Sequence, residues 1–371
     1  MSLKIGILKE PAYENRVSLL PEQASLLIKK GITVFIEKDA GAKASASDRA
    51  YLAAGATVFD RNDVIGKADV ILSIHPFDDI KDKAVVIGVY QPLYEYALMN
   101  TWASKHITAF SLDMIPRTTR AQSMDVLSSQ ANIAGYKAVL LAANTYSRYF
   151  PMFMTAAGSI APAKVLILGA GVAGLQAIAT AKRLGAVVEV FDTRPAVKEE
   201  VMSLGAKFVE VEGAADASAA GGYAVEQTEE YKQKQRQRIA EAIAKADIVI
   251  TTAQIPGKKA PLLISEEMIQ SMREGSVIID IAAATGGNTP FTKNNETVIC
   301  HGVQIIGNSQ LPASMPSDAS KLYGKNVLNF LQLILTKEGA LHLNWEDDLV
   351  KGCCITHEGT ITHERVAALL Q

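Results

Sequence analysis

Lys164-Val-Leu-Ile-Leu-Gly-Ala-Gly-Val-Ala-Gly174 is the stretch that decides the fold. Lys164–Leu168 is a short apolar run, read as a strand. Gly169, Gly171 and Gly174 then follow at the G-x-G-x-x-G spacing, and a helical period runs from Val172 to Leu184. A strand that turns through glycine into a helix is the opening unit of a dinucleotide-binding fold. Gly169 permits the turn, Gly171 lets backbone approach a pyrophosphate, and Gly174 lets the helix sit close to the strand. The anion meets the helix N-terminus, where unpaired N–H groups and the dipole favour negative charge. The spacing alone is a weak signal, but its context strengthens it. The next apolar run, Val187–Phe191, ends at Asp192, about 20 residues on, where a ribose-binding acid belongs. A carboxylate there accepts from both ribose hydroxyls and repels a 2′-phosphate, which predicts NAD(H) rather than NADP(H). Arg194 carries the opposite signal, and Asp192 is expected to dominate. The alternative is a glycine turn with only a structural role.

Outward from this unit, short apolar runs alternate with longer helical segments. Before it stand Lys4–Leu8, Thr33–Glu37, Val70–Ile74 and Val85–Val89. After it come Lys207–Val211, Ile248–Thr252, Val277–Ile281 and Gln304–Ile306. Alternation of this kind implies βαβ units and parallel sheets, and continuous apolarity suits strands covered on both faces. The expected fold is α/β: two Rossmann-like lobes with mostly parallel sheets and a cleft between them. Residues 1–127 form the first lobe and 128–310 the nucleotide-binding lobe. A helix, Val126–Tyr146, leads from one to the other, followed by a loop over Tyr149–Lys164. The tail, 311–371, opens on a Pro/Ser loop and continues as a helix, Ala319–Leu335, then a short polar segment. It is expected to pack back onto the first lobe, leaving that lobe discontinuous in sequence.

Composition excludes several classes. Of 371 residues, 49% are hydrophobic and 20% charged, with net charge −2, which argues against nucleic acid as the main partner. No apolar run approaches the roughly 18 residues that span a bilayer, and the N-terminus lacks a secretion signal, so a cytoplasmic chain without direct membrane insertion is expected. Cys300, Cys353 and Cys354 show no metal-ligand spacing and read as reduced thiols, with no metal site expected. Gly213–Gly222 is nearly all Ala, Gly, Ser and Asp, and Glu226–Arg238 is highly charged. Such a segment cannot bury a core. It reads either as a loop joined to a solvated helix or as a flap that closes over a ligand.

With these pieces in place, the whole chain resembles the soluble NAD(H)-binding component (the first portion of the alpha subunit) of proton-translocating NAD(P) transhydrogenase, a family related to alanine dehydrogenase. The most specific stretch is Arg117-Thr-Thr-Arg-Ala-Gln-Ser-Met-Asp-Val-Leu-Ser-Ser-Gln-Ala-Asn-Ile-Ala-Gly-Tyr136. It is similar to the family's loop that carries Arg, Gln and Asp to the nicotinamide. Gly221-Gly-Tyr-Ala224 resembles its mobile loop, Leu166–Gly174 and Asp192–Arg194 its nucleotide site, and Ala253-Gln-Ile-Pro-Gly257 a segment beside the adenosine. The resemblance implies that Arg117, Asp125 and Ser128 hold the nicotinamide end and that Gln122 reaches toward a second nucleotide. It places Arg120, Tyr136, Val172, Thr193, Gly222, Tyr223, Ala253 and Gln254 with the fingerprint residues as cofactor contacts. The alternative for Arg117, Arg120 and Asp125 is a helix start carrying surface ion pairs. The resemblance further implies hydride transfer from NADH to NADP(H) on a partner beta subunit, a membrane-embedded partner that couples it to proton movement, a homodimer, and peripheral placement on the inner membrane through those partners. Hydride transfer needs two rings stacked at about 3–3.5 Å and no protein nucleophile.

The rival from another class is an alanine dehydrogenase, which needs a cation for the substrate carboxylate and an acid–base group near the amine. Arg16 matches the related arginine, though a structural arginine is the plainer reading. The family's lysine, histidine and aspartate would fall near Ser73, Gln91 and Ala284, which lack the chemistry, and His75 is displaced. Ala284 also departs from the transhydrogenases themselves, which commonly carry an acid there. A regulatory NAD-binding module, the third reading, would not need the Arg117–Asp125 loop.

Overall fold

The computed structural model describes residues 2–211 and 228–370. The chain divides into two units, Met1–Gln130 with Pro312–Gln371, and Ala131–Leu311. The strands in chain order are β1 (Lys4–Ile7), β2 (Thr33–Glu37), β3 (Thr57–Phe59), β4 (Val70–Leu72), β5 (Val85–Gly88) and β6 (Thr108–Ser111). The second unit holds β7 (Phe153–Thr155), β8 (Gly158–Ile160), β9 (Lys164–Leu168), β10 (Val187–Phe191), β11 (Lys207–Phe208), β12 (Ile248–Thr251), β13 (Val277–Asp280), β14 (Glu296–Cys300) and β15 (Val303–Gly307). The returning segment adds β16 (Cys354–His357) and β17 (Thr360–Ile361).

The first sheet has the order β17-β16-β6-β5-β4-β1-β2-β3 and the second β11-β10-β9-β12-β13-β15-β14. Pairing is parallel throughout except at one edge of each, where β16 and β17 and then β14 run antiparallel. This is the mostly parallel, Rossmann-like α/β architecture the sequence predicts. In each sheet the chain winds outward from a first strand and then returns to that strand's other side, at β1/β4 and at β9/β12. Ligands of open α/β sheets bind beyond the carboxyl ends of strands at such a reversal.

Continuous apolar runs are explained by burial on both faces. Val165 and Ile167 of β9 enter one core with Ala177, Ile178 and Val190, while Leu166 and Leu168 enter another with Ile239, Ile243 and Val249. In the first unit Val70 and Leu72 face one core and Ile71 the other. The helix Pro316–Ile334 buries Ala319, Tyr323, Val327, Phe330, Leu331 and Ile334, three and four residues apart, against Ile5, Leu19 and Val34. Each large side chain on that stripe contributes about 1.5–3 kcal/mol of apolar burial.

Several expectations are corrected. The loop over Tyr149–Lys164 contains the β7–β8 hairpin, because Phe153–Thr155 and Gly158–Ile160 pair across a tight turn. The polar tail segment forms β16 and β17, pairing through Thr356 and His357, residues a hydropathy reading passes over. Strands β3, β6 and β14 were not anticipated. β3 has three residues, β6 has polar residues at both ends, and β14 opens on Glu296 and Thr297. The strand predicted over Lys207–Val211 ends at Phe208. Among the described residues no helix is long and apolar enough to cross a membrane, and no group of His, Cys, Asp or Glu has the arrangement of a metal site.

Candidate functional site

The glycine turn is held from three sides. Gly169 has φ +107°, a conformation glycine tolerates, and a Cβ there would lie 2.4 Å from Thr252 Oγ1. A Cβ on Gly174 would lie 1.9 Å from the Gly169 carbonyl oxygen, so the helix Val172–Arg183 presses onto the turn that precedes it. Gly171 differs: a Cβ there would meet nothing within 4 Å. It opens onto space at the helix N-terminus, which no described side chain caps. Val172 begins the helix and is exposed. Bare N–H groups, a helix dipole and an empty approach suit a phosphate anion.

Asp192 directly follows β10 and is only 8% exposed. Its Oδ2 accepts the Ala170 N–H at 2.7 Å and Oδ1 the Arg194 N–H at 2.8 Å. The Arg194 guanidinium adds Nε to Oδ1 at 2.8 Å and Nη2 to Oδ2 at 2.7 Å. Thr193 lies half-buried between them. Tyr231, on the helix Glu229–Ile243, is buried; burial and then the nearby Asp192 charge push its phenol above the usual range.

Beyond β12, Thr252 donates weakly to the Leu168 and Gly169 carbonyls at 3.3 and 3.2 Å. Ala253 is half-buried, and Gln254 is exposed with its amide on the Ile281 carbonyl at 3.3 Å. The loop is fixed by Asn288, whose amide donates to the Ala253 and Pro261 carbonyls at 3.0 and 2.8 Å. Asn288 is in turn anchored by its own N–H on Asp280, at 2.6 Å. Asp280 is fully buried and also accepts from Ala282 N–H and Thr292 Oγ1. The sequence reading missed Thr252, Tyr231, Asp280 and Asn288. The run Asp280-Ile-Ala-Ala-Ala-Thr-Gly-Gly287 marked a strand end, but no local pattern shows that a residue eight positions on closes over it. Ala284 is exposed just after β13.

The stretch from Arg117 to Tyr136 enters the helix Val126–Thr145. Asp125 caps it, accepting Ser128 N–H at 2.8 Å and Ser128 Oγ at 2.6 Å, so these two predicted residues do meet. Arg117 and Gln122 are exposed, Gln122 on the turn Thr119–Met124. The Arg120 guanidinium bonds Asp347 at 2.9 and 2.5 Å and Asp348 at 2.5 Å. Tyr136 lies half-buried on the helix. Its neighbour Gly135 was not singled out by the sequence, yet a Cβ there would lie 2.0 Å from the Ala173 carbonyl oxygen. That contact sets the long helix directly on the first turn of the glycine-led helix. Gly222 and Tyr223 fall outside the described residues, as does most of the predicted flap.

The reversal at β1/β4 is built from charge. Arg16 Nε and Nη2 fork onto Glu14 at 2.9 and 2.6 Å, and Nη1 donates to Gln130 at 2.8 Å. His75 Nε2 shares Glu14 Oε2 at 2.8 Å. Although burial pushes the Glu14 carboxyl up, bonds from Arg16 and His75 carry it well below the usual range. Glu10 accepts the Ile74 and His75 N–H groups, and burial still raises it to about 7. A cavity of about 270 Å³ opens beside them, lined in part by Glu10, Glu37 and Arg61. Arg61 is forked onto Asp79 and bonded to Glu37. Ser73 hydrogen-bonds Tyr90 at 3.2 Å, and Gln91 takes φ +48°. Arg16 is thus held on Glu14 and Gln130.

Comparison with known proteins places the chain in one family along almost its whole length. The chain matches the family description "Alanine dehydrogenase/PNT, N-terminal domain" over residues 6–134 and "Alanine dehydrogenase/PNT, C-terminal domain" over 138–364. It is 46% identical to a Rickettsia prowazekii protein named as the first part of NAD(P) transhydrogenase subunit alpha, covering 97% of this chain and 96% of that protein. The crystal structure of transhydrogenase from Sinorhizobium meliloti superposes with a TM-score of 0.88 at 44% identity, covering 96% of this chain and 99% of that one. An alanine dehydrogenase from Staphylococcus haemolyticus is more distant, 26% identical over 98% of this chain and 95% of its own.

Proposed function

From the premise that the chain belongs to the alanine dehydrogenase/PNT family, we propose that it is the NAD(H)-binding subunit of an NAD(P) transhydrogenase, passing hydride between NADH on its own glycine turn and NADP on a partner subunit. The observation that carries the assignment is the pairing of an open, uncapped turn at Gly171 with a carboxylate, Asp192, fixed at the end of the next strand. The residues fit a dinucleotide: bare amides for the pyrophosphate, a rigid acceptor for the adenosine ribose, and a loop at Ala253 and Gln254 pinned by Asn288. Bound NADH supplies the hydride. The chain binds it and sets ring orientation, and we assign Arg117, Asp125, Ser128 and Tyr136 to the nicotinamide end and Gln122 to the second nucleotide. Arg120 is assigned to bracing the loop through Asp347 and Asp348.

The relatives' subunit names support an assembly of several chains. We assign an NADP-binding beta subunit and a membrane-embedded subunit as partners, which place this chain peripherally on the cytoplasmic face of the inner membrane. A homodimer is supported by the exposed Met152, Phe153 and Met154, just before and at the start of the β7–β8 hairpin, an apolar patch suited to a second copy. Amino-acid oxidation is disfavoured because Arg16 is already bound to Glu14 and Ser73 and Gln91 offer no base.

The test is Gln122→Asn in this chain mixed with a transhydrogenase NADP-binding subunit. Stopped-flow hydride transfer should fall on the order of a hundredfold, as a misplacement near 1 Å can cost, while equilibrium titration gives unchanged NADH affinity. An unchanged rate overturns the bridging role, and a parallel loss of affinity makes Gln122 an NADH ligand. Alanine-dependent NAD reduction by the chain alone would overturn the function itself.

A further inference from the structure

An ionised carboxylate offers about four acceptor positions on its two oxygens. On Asp192 all four are filled. Two are filled by backbone, the Ala170 N–H on Oδ2 and the Arg194 N–H on Oδ1, and these cannot leave without unwinding the glycine turn or the start of the next loop. The other two are filled by one side chain, the Arg194 guanidinium, through Nε on Oδ1 and Nη2 on Oδ2. The Arg194 side chain is 19% exposed and that of Asp192 6%. The guanidinium therefore occupies the positions that the two hydroxyls of an unmodified ribose need. A ribose with a 2′-phosphate brings one hydroxyl fewer and a double negative charge. Arginine is the residue type that binds such a phosphate through two parallel donors, but here the Nε/Nη2 edge is committed to Asp192.

We propose that Arg194 is a silenced phosphate-binding residue, and that Asp192 selects NADH over NADPH because the two hydroxyls of an unmodified ribose can replace this guanidinium on it, whereas a 2′-phosphorylated ribose, one hydroxyl short, leaves it held. The idea rests on the reading of the glycine turn as an NAD(H) site and assigns its specificity to a pair rather than to one acid. A carboxylate acting alone would disfavour NADPH by repulsion, and removing it would help NADPH whatever stands at 194. A carboxylate that sequesters Arg194 does something different. Its removal hands the arginine to the 2′-phosphate, and the gain vanishes when the arginine is removed too.

Four versions of the whole chain decide it: wild type, Asp192→Ala, Arg194→Ala and the double variant, each titrated with NADH and with NADPH by nicotinamide fluorescence. Asp192→Ala should weaken NADH and strengthen NADPH, each by about tenfold or more, the scale of a hydrogen bond to a charged group. Adding Arg194→Ala should erase the NADPH gain, leaving a coupling of about tenfold between the two positions. An NADPH gain of equal size with and without Arg194 overturns the proposal in favour of repulsion alone, and a folded Asp192→Ala chain with no NADPH gain overturns it as well. Asp192→Asn keeps an oxygen for the Ala170 N–H. Where melting shows that the alanine variant has not folded, Asp192→Asn and Asp192→Asn/Arg194→Ala carry the same comparison. A wild-type chain that binds neither nucleotide would instead overturn the site itself. A wild type that prefers NADH but shows no dependence on Arg194 would overturn only the inference.

Discussion

Beyond β9 and β12 the chain leaves glycine, amides that no described side chain caps and one carboxylate with two replaceable hydrogen bonds, both from Arg194. Beyond β1 and β4, the same position in a sheet wound the same way, it leaves Glu10, Glu14, Arg16 and His75 bonded to one another. The two reversals share topology and differ in what is already satisfied. At Gly171 the helix N-terminus has backbone donors that no described side chain caps, so the energy of pairing is available to a ligand. At Glu14 both oxygens are taken by Arg16 and His75, so that energy has been realised in folding. Sheet topology locates a crevice, and the internal accounting of hydrogen bonds decides whether it binds anything.

If that contrast holds, the largest effect belongs to the filled reversal and appears in stability. Glu14→Ala strands the Arg16 cation, whose side chain is 12% exposed, and should cost about 3–5 kcal/mol of unfolding free energy. NADH affinity should not move. Urea denaturation and nucleotide titration on the same sample check both, and a loss of NADH binding in a folded Glu14→Ala chain would break the comparison. The open reversal predicts the reverse pattern. Gly171→Val adds bulk where no described atom lies within 4 Å of the new Cβ and needs no positive φ, so the fold should persist. NADH affinity should fall by about 3 kcal/mol or more, the worth of two charge-assisted hydrogen bonds to the pyrophosphate.

Acidity sharpens the contrast. Glu14 has a folded-state pKa below its ordinary 4.5, so its contribution is fully present above about pH 4.5 and is lost as pH falls below that. The stability gap between wild type and Glu14→Ala should therefore shrink from pH 7 to pH 3. Glu10 has the opposite sign: raised to about 7, it lowers stability as pH rises from about 4.5 to 7. A gap of the same size at both ends of the range would remove Glu14 from the account. The smallest effect is expected at Thr252, whose hydroxyl makes only long bonds to Leu168 and Gly169. Thr252→Val should cost about 0.5–1.5 kcal/mol, read from a thermal melt.

The sequence made the parallel core legible because buried strands are continuous: β9 and β10 keep the bounds their apolar runs predict, and the helix Val126–Thr145 falls one residue short. It hid the edges. β14 alternates Thr297, Val298 and Ile299 in a half-exposed antiparallel pair, and β16 pairs through Thr356. Of the candidate site, the glycines and Asp192 could be read because a single tight turn imposes a local spacing. The Asn288 latch, the Thr252 tie and the Gly135 contact could not, since each joins residues far apart in the chain and only the fold makes them neighbours. Arg194 was legible as a residue and ambiguous as a signal. Its bonds to Asp192 show why both residue types can stand there together.

The split of the first unit bears on how the protein is made. Translation runs from the N-terminus, so residues 131–311 emerge with every strand of their own sheet present. The earlier unit must wait. Until Pro316–Ile334 leaves the ribosome, Ile5, Leu19 and Val34 lack the stripe of Tyr323, Val327 and Phe330 that covers them, and β6 keeps an open edge until β16 arrives. A nascent chain thus carries an exposed apolar sheet for the time taken to synthesise nearly two hundred further residues, about 10–40 s at 5–20 residues per second. The half that is synthesised first is the last to close, and it is the stretch on which a chaperone has most to do.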